Sequence, residues 1–232
     1  MVVSSPEGSP VAHDHELEVP FADRDAAGAA LADVLADHPE LVVGEPVVVA
    51  LPRGGVPVAA PVARELHAPL DVIIVRKLGV PGRSELAMGA IGEGGVRVLE
   101  PQVLSTWHIT DAQLSAVDAH EEQELARRAA RLRAGRARIP LEGRPVVVVD
   151  DGVATGSTAR AAIQVARAEG ASSVVLAAPV APPSTVAELS QVADAVVCVV
   201  TPSPFAAIGQ WYRDFSPTTD ADVVRILDEL RN

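Results

Sequence analysis

The sequence predicts a doubly wound α/β fold, a mainly parallel sheet with helices on both faces. Short Val-rich runs at 47–51, 145–149, 174–178 and 195–200 are apolar at successive positions, as strands covered on both faces are. Ala-rich stretches of helical length lie between several of these runs, which suits strand–helix–strand units. Of the 232 residues 48% are hydrophobic but only 3% aromatic, so the core must be built from Val, Ala and Leu. A chain of this length can bury such a core without disulfides or metal staples.

Residues 1–20, rich in Pro, Ser, Gly and acids, read as a poorly ordered tail without the basic and apolar regions of a signal peptide. Within it, His13, Asp14 and His15 have no further ligand at helical or finger spacing, so no metal site is predicted. Residues 21–232 are expected to form a single domain. Over 23–38 the apolar positions Ala27, Leu31, Val34 and Leu35 follow a helical period that Pro39 ends. The strand at 47–51 leads through the turn PRGG into a helix over 56–67, and 70–75 is the next strand.

The stretch RKLGVPGRSELAMGAIGEGG is too rich in glycine for a regular element. It reads as a long loop or β-excursion, a mobile lid over 76–96. Residues 110–138 form a long charged helix capped by Thr110 or Asp111, whose EEQE and RR runs read as a solvated face and whose His120 reads as a surface histidine. The strand at 145–149 is followed by a turn and a helix through Glu169, and a short helix around 184–191 separates the last two strands. The segment 202–232 is expected to form a C-terminal hood, with a final helix capped by Thr219 or Asp220. No internal repeat is present.

A formal net charge of −12 argues against gripping a nucleic-acid backbone as the main task, while leaving room for a small basic pocket. The single cysteine, Cys198, excludes an intramolecular disulfide and reads as a buried strand thiol. No apolar run reaches membrane-spanning length; the longest, 47–63, contains Arg53 and three prolines. A soluble cytoplasmic protein is expected.

The chemistry is concentrated in V-V-V-V-D-D-G-V-A-T-G-S-T, residues 146–158. A buried strand ends at the carboxyl edge of the sheet, where open α/β sheets place ligands. Gly152, Ala154 and Gly156 let backbone N–H groups converge on an anion, and Thr155, Ser157 and Thr158 add hydroxyl donors at a helix N-terminus. Asp150 and Asp151 would repel a phosphate but suit a pair of vicinal hydroxyls, so together the segment suits a ribose 5-phosphate. A Walker loop would need Gly-Lys-Ser/Thr, and the dinucleotide fingerprint G-x-G-x-x-G; neither is here.

These thirteen residues resemble the signature of the type I phosphoribosyltransferases: four apolar residues, two acids and a small Thr/Gly-rich loop. The whole chain is similar to the bacterial group known as predicted phosphoribosyltransferases. The resemblance implies a phosphoribosyltransferase-like fold whose ligand is phosphoribosyl pyrophosphate (PRPP). It assigns Asp150 and Asp151 to the ribose hydroxyls and Val153 through Thr158 to the 5′-phosphate.

A second segment, A-L-P-R-G-G-V-P, resembles that family's pyrophosphate loop, with Gly54 and Gly55 allowing close backbone approach and Arg53 offering a guanidinium fork. At the next strand end, Lys77 is the candidate to stabilise pyrophosphate charge, Arg76 is a reserve, and Glu85 is a candidate base or metal contact. The resemblance further implies Mg²⁺ held mainly through ligand oxygens and water, rather than a protein metal cage, and a possible homodimer. Phe205, Trp211, Tyr212 and Phe215 cluster near the C-terminus. They suit either an aromatic wall for an acceptor heterocycle or packing on the core. The expected reaction is transfer of the 5-phosphoribosyl group to a nitrogen heterocycle or related nucleophile. A catalytically silent PRPP or nucleotide sensor and a sugar-phosphate phosphohydrolase remain open alternatives.

Overall fold

In the computed structural model a six-stranded sheet carries the Val-rich runs. The structure describes residues 2–4 and 19–230, with backbone alone at 2–4 and at Glu85. In chain order the first elements are β1 (Val2–Ser4), α1 (Arg24–Ala36), β2 (Val47–Ala50), α2 (Gly55–Glu65) and β3 (Leu70–Val72). An excursion follows, β4 (Val75–Val80), β5 (Arg83–Gly92) and β6 (Arg97–Leu99), then α3 (Pro101–Thr106) and α4 (Asp111–Arg133). The second half contains β7 (Pro145–Val149), α5 (Ser157–Ala168), β8 (Ser173–Val180), α6 (Pro183–Leu189), β9 (Ala195–Val200) and α7 (Asp220–Glu229).

The main sheet runs in the order β1-β9-β8-β7-β2-β3, parallel except for β1. From β2 the chain moves outward one way to β3, and from β7 it moves the other way to β8 and β9. The boundary between β2 and β7, registered with Ala50 opposite Val149, is therefore the topological switch point at which open sheets bind ligands.

Alternate strand residues feed two apolar layers. Val48, Ala50, Val147, Val149 and Val197 pack with α1, α2 and α7, whereas Val47, Val49, Val146, Val148 and Cys198 pack with α5 and α6. Burial on both faces explains why these strands read as continuous apolar runs. The predicted helix face Ala27, Leu31, Val34 and Leu35 is buried, and Asp23 Oδ1 caps α1 by accepting from the Ala26 amide at 2.9 Å. Thr110 and Gln113 form a capping box at the start of α4. That helix stops at Ala134, in the left-handed region and followed by Gly135 at φ +83°, several residues before the predicted end.

Of the two readings of 76–96, a loop or a β-excursion, the structure shows the excursion: these residues form most of a three-stranded antiparallel sheet, β4-β5-β6. Its glycines are contact points, since a Cβ on Gly89 would stand 2.4 Å from the Val98 carbonyl and one on Gly92 2.4 Å from Val165 Cγ1. Leu78, Val80, Met88 and Ile91 anchor this sheet in the core. The N-terminal stretch is not wholly irregular, because Val2–Ser4 adds an antiparallel edge strand to β9. α3 had no sequence signal beyond Pro101 at its first turn. The expectations for His13, Asp14, His15 and the Glu85 side chain lie outside the described residues. Among those residues, no helix is long and apolar enough to cross a membrane.

Candidate functional site

The loops after β2 and β7 lie side by side at the switch point, in close contact through the two glycines of PRGG. The Leu51 amide donates to the Val149 carbonyl at 2.8 Å, carrying the ladder past the strand ends. A Cβ on Gly55 would stand 2.6 Å from that same carbonyl, and one on Gly54 only 1.9 Å from Asp151 Oδ2. Both glycines of PRGG are thus required by close approach, Gly54 because the Asp151 carboxylate occupies the space a side chain would fill. The Pro52–Arg53 peptide between the strand and these glycines is cis.

The two acids are held differently. Asp151 Oδ2 accepts from Arg24 Nε at 2.8 Å, in a pair whose side chains are only 11% and 14% exposed. Arg24 also donates to the Ser216 carbonyl and lies 3.9 Å over the Phe215 ring. Asp150 accepts the Asp151 amide on Oδ1 at 2.9 Å and, among the described residues, has no cation of its own. Burial first, and then the neighbouring Asp151 charge, push the Asp150 carboxyl well above the usual carboxylate range. The two carboxyls are thus held differently, Asp151 clamped by a cation and Asp150 buried without one among the described residues.

Beyond them the turn becomes an anion cradle. The amides of Ala154, Thr155, Gly156 and Ser157 have no hydrogen-bond partner among the described residues, and they open onto the N-terminus of α5. Gly156, at φ +73°, provides the left-handed turn that leads into the helix. Thr185 Oγ1 donates to the Ala154 carbonyl at 2.7 Å and steadies the loop from α6. Lys77 Nζ donates to Ser157 Oγ at 3.3 Å, adding a cation at the cradle. A cavity of about 330 Å³ opens there, lined by Lys77, Thr155, Ser157 and Arg160 among others.

The structure therefore brings together Asp150, Asp151, Gly54, Gly55, Lys77 and the turn through Thr158, with Arg53 on the adjoining loop. It changes several assignments. Val153 is buried and its amide is spent on the Val180 carbonyl at 2.8 Å, so it anchors the loop and does not face an anion. Lys77, the candidate for the pyrophosphate charge, stands at the cradle beside Ser157. Arg76, on the opposite side of β4, is paired with Glu121 of α4 at 2.6 Å. Tyr212 is no acceptor wall: it is 6% exposed, packed on Phe21 and Phe215, and its hydroxyl donates to the Asp151 carbonyl at 2.6 Å. Burial, and then the Asp151 charge, push its phenol above the ordinary range. Trp211 is half-buried against the core, while Phe205 is half-buried without being part of that packing. His120 is exposed, as expected for a surface histidine, although it lines a cavity of about 490 Å³ beside β4.

Sequence reasoning missed Arg24 and Arg128. Arg24 is 127 positions from its partner, and no local pattern signals it. Arg128 sat inside a charge run read as solvated, yet its Nη2 donates to the Pro52 carbonyl at 2.6 Å and braces the loop of Arg53.

A model of the phosphoribosyl transferase domain matches residues 24–212, which takes in both loops, Arg24 and Tyr212. The chain belongs to the phosphoribosyl transferase family. A curated protein of Mycobacterium tuberculosis strain H37Rv, named "Putative phosphoribosyl transferase Rv0571c", is 56% identical over 208 residues. That match covers 90% of this chain and 46% of the relative, so the chain spans about half the length of the curated relatives it matches. The crystal structure of TT1426 from Thermus thermophilus is 46% identical, covers 91% of this chain and 99% of its own, and superposes with a TM-score of 0.83. The doubly wound architecture is accordingly that of a phosphoribosyl transferase domain.

Proposed function

We propose that this phosphoribosyl transferase domain moves the 5-phosphoribosyl group of PRPP to a nitrogen nucleophile and releases pyrophosphate. The observation that carries the reading is the pair of loops at one switch point, one presenting acids followed by unpartnered amides, the other presenting Arg53. The 5′-phosphate would sit on the amides of Ala154 to Ser157, with Lys77 and the α5 N-terminus supplying positive potential. Asp150 would accept from a ribose hydroxyl, while Arg24 holds Asp151 in place and keeps its carboxylate against Gly54. Arg53 would meet the pyrophosphate.

In the transfer, the C1–O bond to pyrophosphate breaks and its electron pair leaves on the pyrophosphate oxygen. The nitrogen lone pair then forms the new C1–N bond. The chain contributes position at both ends of the sugar and charge where the leaving group develops it. Mg²⁺ would bring charge to the pyrophosphate and ribose oxygens when bound. The residues suit a metal held mainly by substrate oxygens and water, since of the two carboxyls of the turn Asp151 already serves Arg24. PRPP and a small nitrogen nucleophile are the partners this reading requires, with Phe205 and Trp211 as candidates for the acceptor side. A cytoplasmic setting suits these metabolites, and no step above calls on a second copy of the chain.

Calorimetric titration with PRPP and MgCl₂, followed by pyrophosphate release across a panel of heterocyclic bases, tests the reading. Binding with release for one class of base is the expected result. Binding without release for any base would favour a sensor, and absence of binding would refute the ligand assignment.

A further inference from the structure

A cavity of about 760 Å³ borders the Arg53 loop and is lined by Arg53, Arg76, Arg127, Arg128 and Arg131, with Glu124 and Asp220. Arg127, Arg128 and Arg131 fall on one side of α4, as positions one turn apart do. Five arginines here meet three carboxylates, those of Glu121, Glu124 and Asp220, an excess of two positive charges in a chain of net charge −12. Their hydrogen bonds leave most guanidinium donors unspent. Arg53 reaches Asp220 at 3.4 Å and Arg131 reaches the same carboxylate at 3.6 Å, while Arg128 holds the Pro52 carbonyl. Burial, then the charges of Arg76 and Arg53, draw the Arg128 guanidinium below the usual arginine range. Like charges are gathered here against their mutual repulsion, and the planar forks match phosphate oxygens in pairs. The volume suits a small molecule, and the acidic balance of the chain disfavours a nucleic-acid strand.

We propose that this cavity is a diphosphate site in which Arg127, Arg128 and Arg131 of α4 act together with Arg53, and that Asp220 is the internal carboxylate which the diphosphate displaces. The inference rests on the phosphoribosyl-transfer reading insofar as the diphosphate is PRPP's own. A nucleoside diphosphate would offer the same chemistry. Asp220 is the first residue of α7, so displacing it would link ligand binding to the C-terminal segment.

The test is calorimetric titration of the full chain with inorganic pyrophosphate. Arg127→Gln/Arg131→Gln is the main variant, because these side chains are 64% and 69% exposed and their loss should leave the fold intact. It should weaken pyrophosphate binding roughly tenfold to a hundredfold, the size expected for lost charge-assisted hydrogen bonds. Arg128→Gln should weaken it as well, and Asp220→Asn should tighten it. Ribose 5-phosphate, titrated in parallel, should bind all variants like the unaltered chain. If ribose 5-phosphate fails to bind anywhere while pyrophosphate binding still depends on the arginines, the transfer reading falls and this inference stands. Displacement of pyrophosphate by PRPP would assign the site to the substrate's own diphosphate, and ADP binding beside bound PRPP would assign it to a separate nucleotide. Absence of pyrophosphate binding, or equal affinity in the double variant and the unaltered chain, would overturn the inference.

Discussion

Replacing Arg24 by Met keeps an unbranched stem in the packing but removes the guanidinium from Asp151. The two side chains are 11% and 14% exposed at a separation of 2.8 Å, so the carboxylate left behind would be largely buried and unpaired. Removing one partner of a buried pair costs about 3–5 kcal/mol. The lost bond to the Ser216 carbonyl and the contact with Phe215 at 3.9 Å act in the same direction. These contributions share one side chain and do not sum, so about 3–5 kcal/mol is the expected total, a large part of the ~5–15 kcal/mol that holds a domain folded. Asp151→Asn should cost less, because an amide oxygen still accepts from Nε. In the double variant neither partner of the pair leaves a charge behind, and the two changes should fall short of additivity by about 2 kcal/mol. Urea unfolding of the four proteins at pH 7, with unchanged slope, measures this coupling. A coupling below about 0.5 kcal/mol would show that the pair does not hold in solution and that Arg24 does not orient Asp151.

Three further outcomes are expected. Because the Asp150 carboxyl is raised in the fold, the unfolded chain ionises it first and gains stability from doing so: the penalty to the native state is absent below the unfolded value of about 3.9, grows above it and levels off once pH passes the folded one. Thermal melts should therefore find Asp150→Asn more stable than the unaltered chain at pH 8 and equal to it near pH 3, and a pH-independent difference would contradict the assignment. Gly54→Ala would place a methyl 1.9 Å from Asp151 Oδ2, displacing the carboxylate. Pyrophosphate release should then fall by about a hundredfold, the scale of an ångström-sized misplacement, whereas retained activity would count against the loop geometry. Arg133→Met would strand Asp71 and Glu93, which Arg133 now meets at 2.7 and 2.6 Å with all three side chains about nine-tenths buried. A stability loss of about 3–5 kcal/mol by urea unfolding is expected, and a loss under 1 kcal/mol would show that water reaches the cluster.

What could be read from the sequence was what is local. The run of four valines, the paired acids and the Gly/Thr turn each act through neighbours a few residues away, and all took their expected places from β7 to the start of α5. The same holds for Thr110, one of the two expected caps of α4. Reading failed where one residue type serves two ends. Glycine marks turns and also close contacts, so Gly89 and Gly92 left a loop and a β-excursion undecided, and in the fold they pack a sheet. Arginine in a charge run reads as solvated, yet Arg133 is buried and Arg128 braces the Pro52 carbonyl. Val153 illustrates the converse: placed in a motif, it looked like a ligand contact, but its apolar side chain belongs to the core.

This division has a physical origin in how the site is assembled. Its anion cradle is made of backbone, and backbone amides are arranged by a short, contiguous turn whose residues must be small. Its cations come from elsewhere: Arg24 from the first helix, Lys77 from the excursion, and Arg127, Arg128 and Arg131 from α4. A guanidinium or ammonium works through several ångströms of flexible stem and imposes no local pattern on its own segment. The cradle can therefore be recognised from thirteen residues, while the distribution of positive charge around it depends on how the excursion and α4 fold back onto the sheet edge. Two chains with the same turn can then differ in which anion they hold beside it, because that choice lies with cations the turn does not encode.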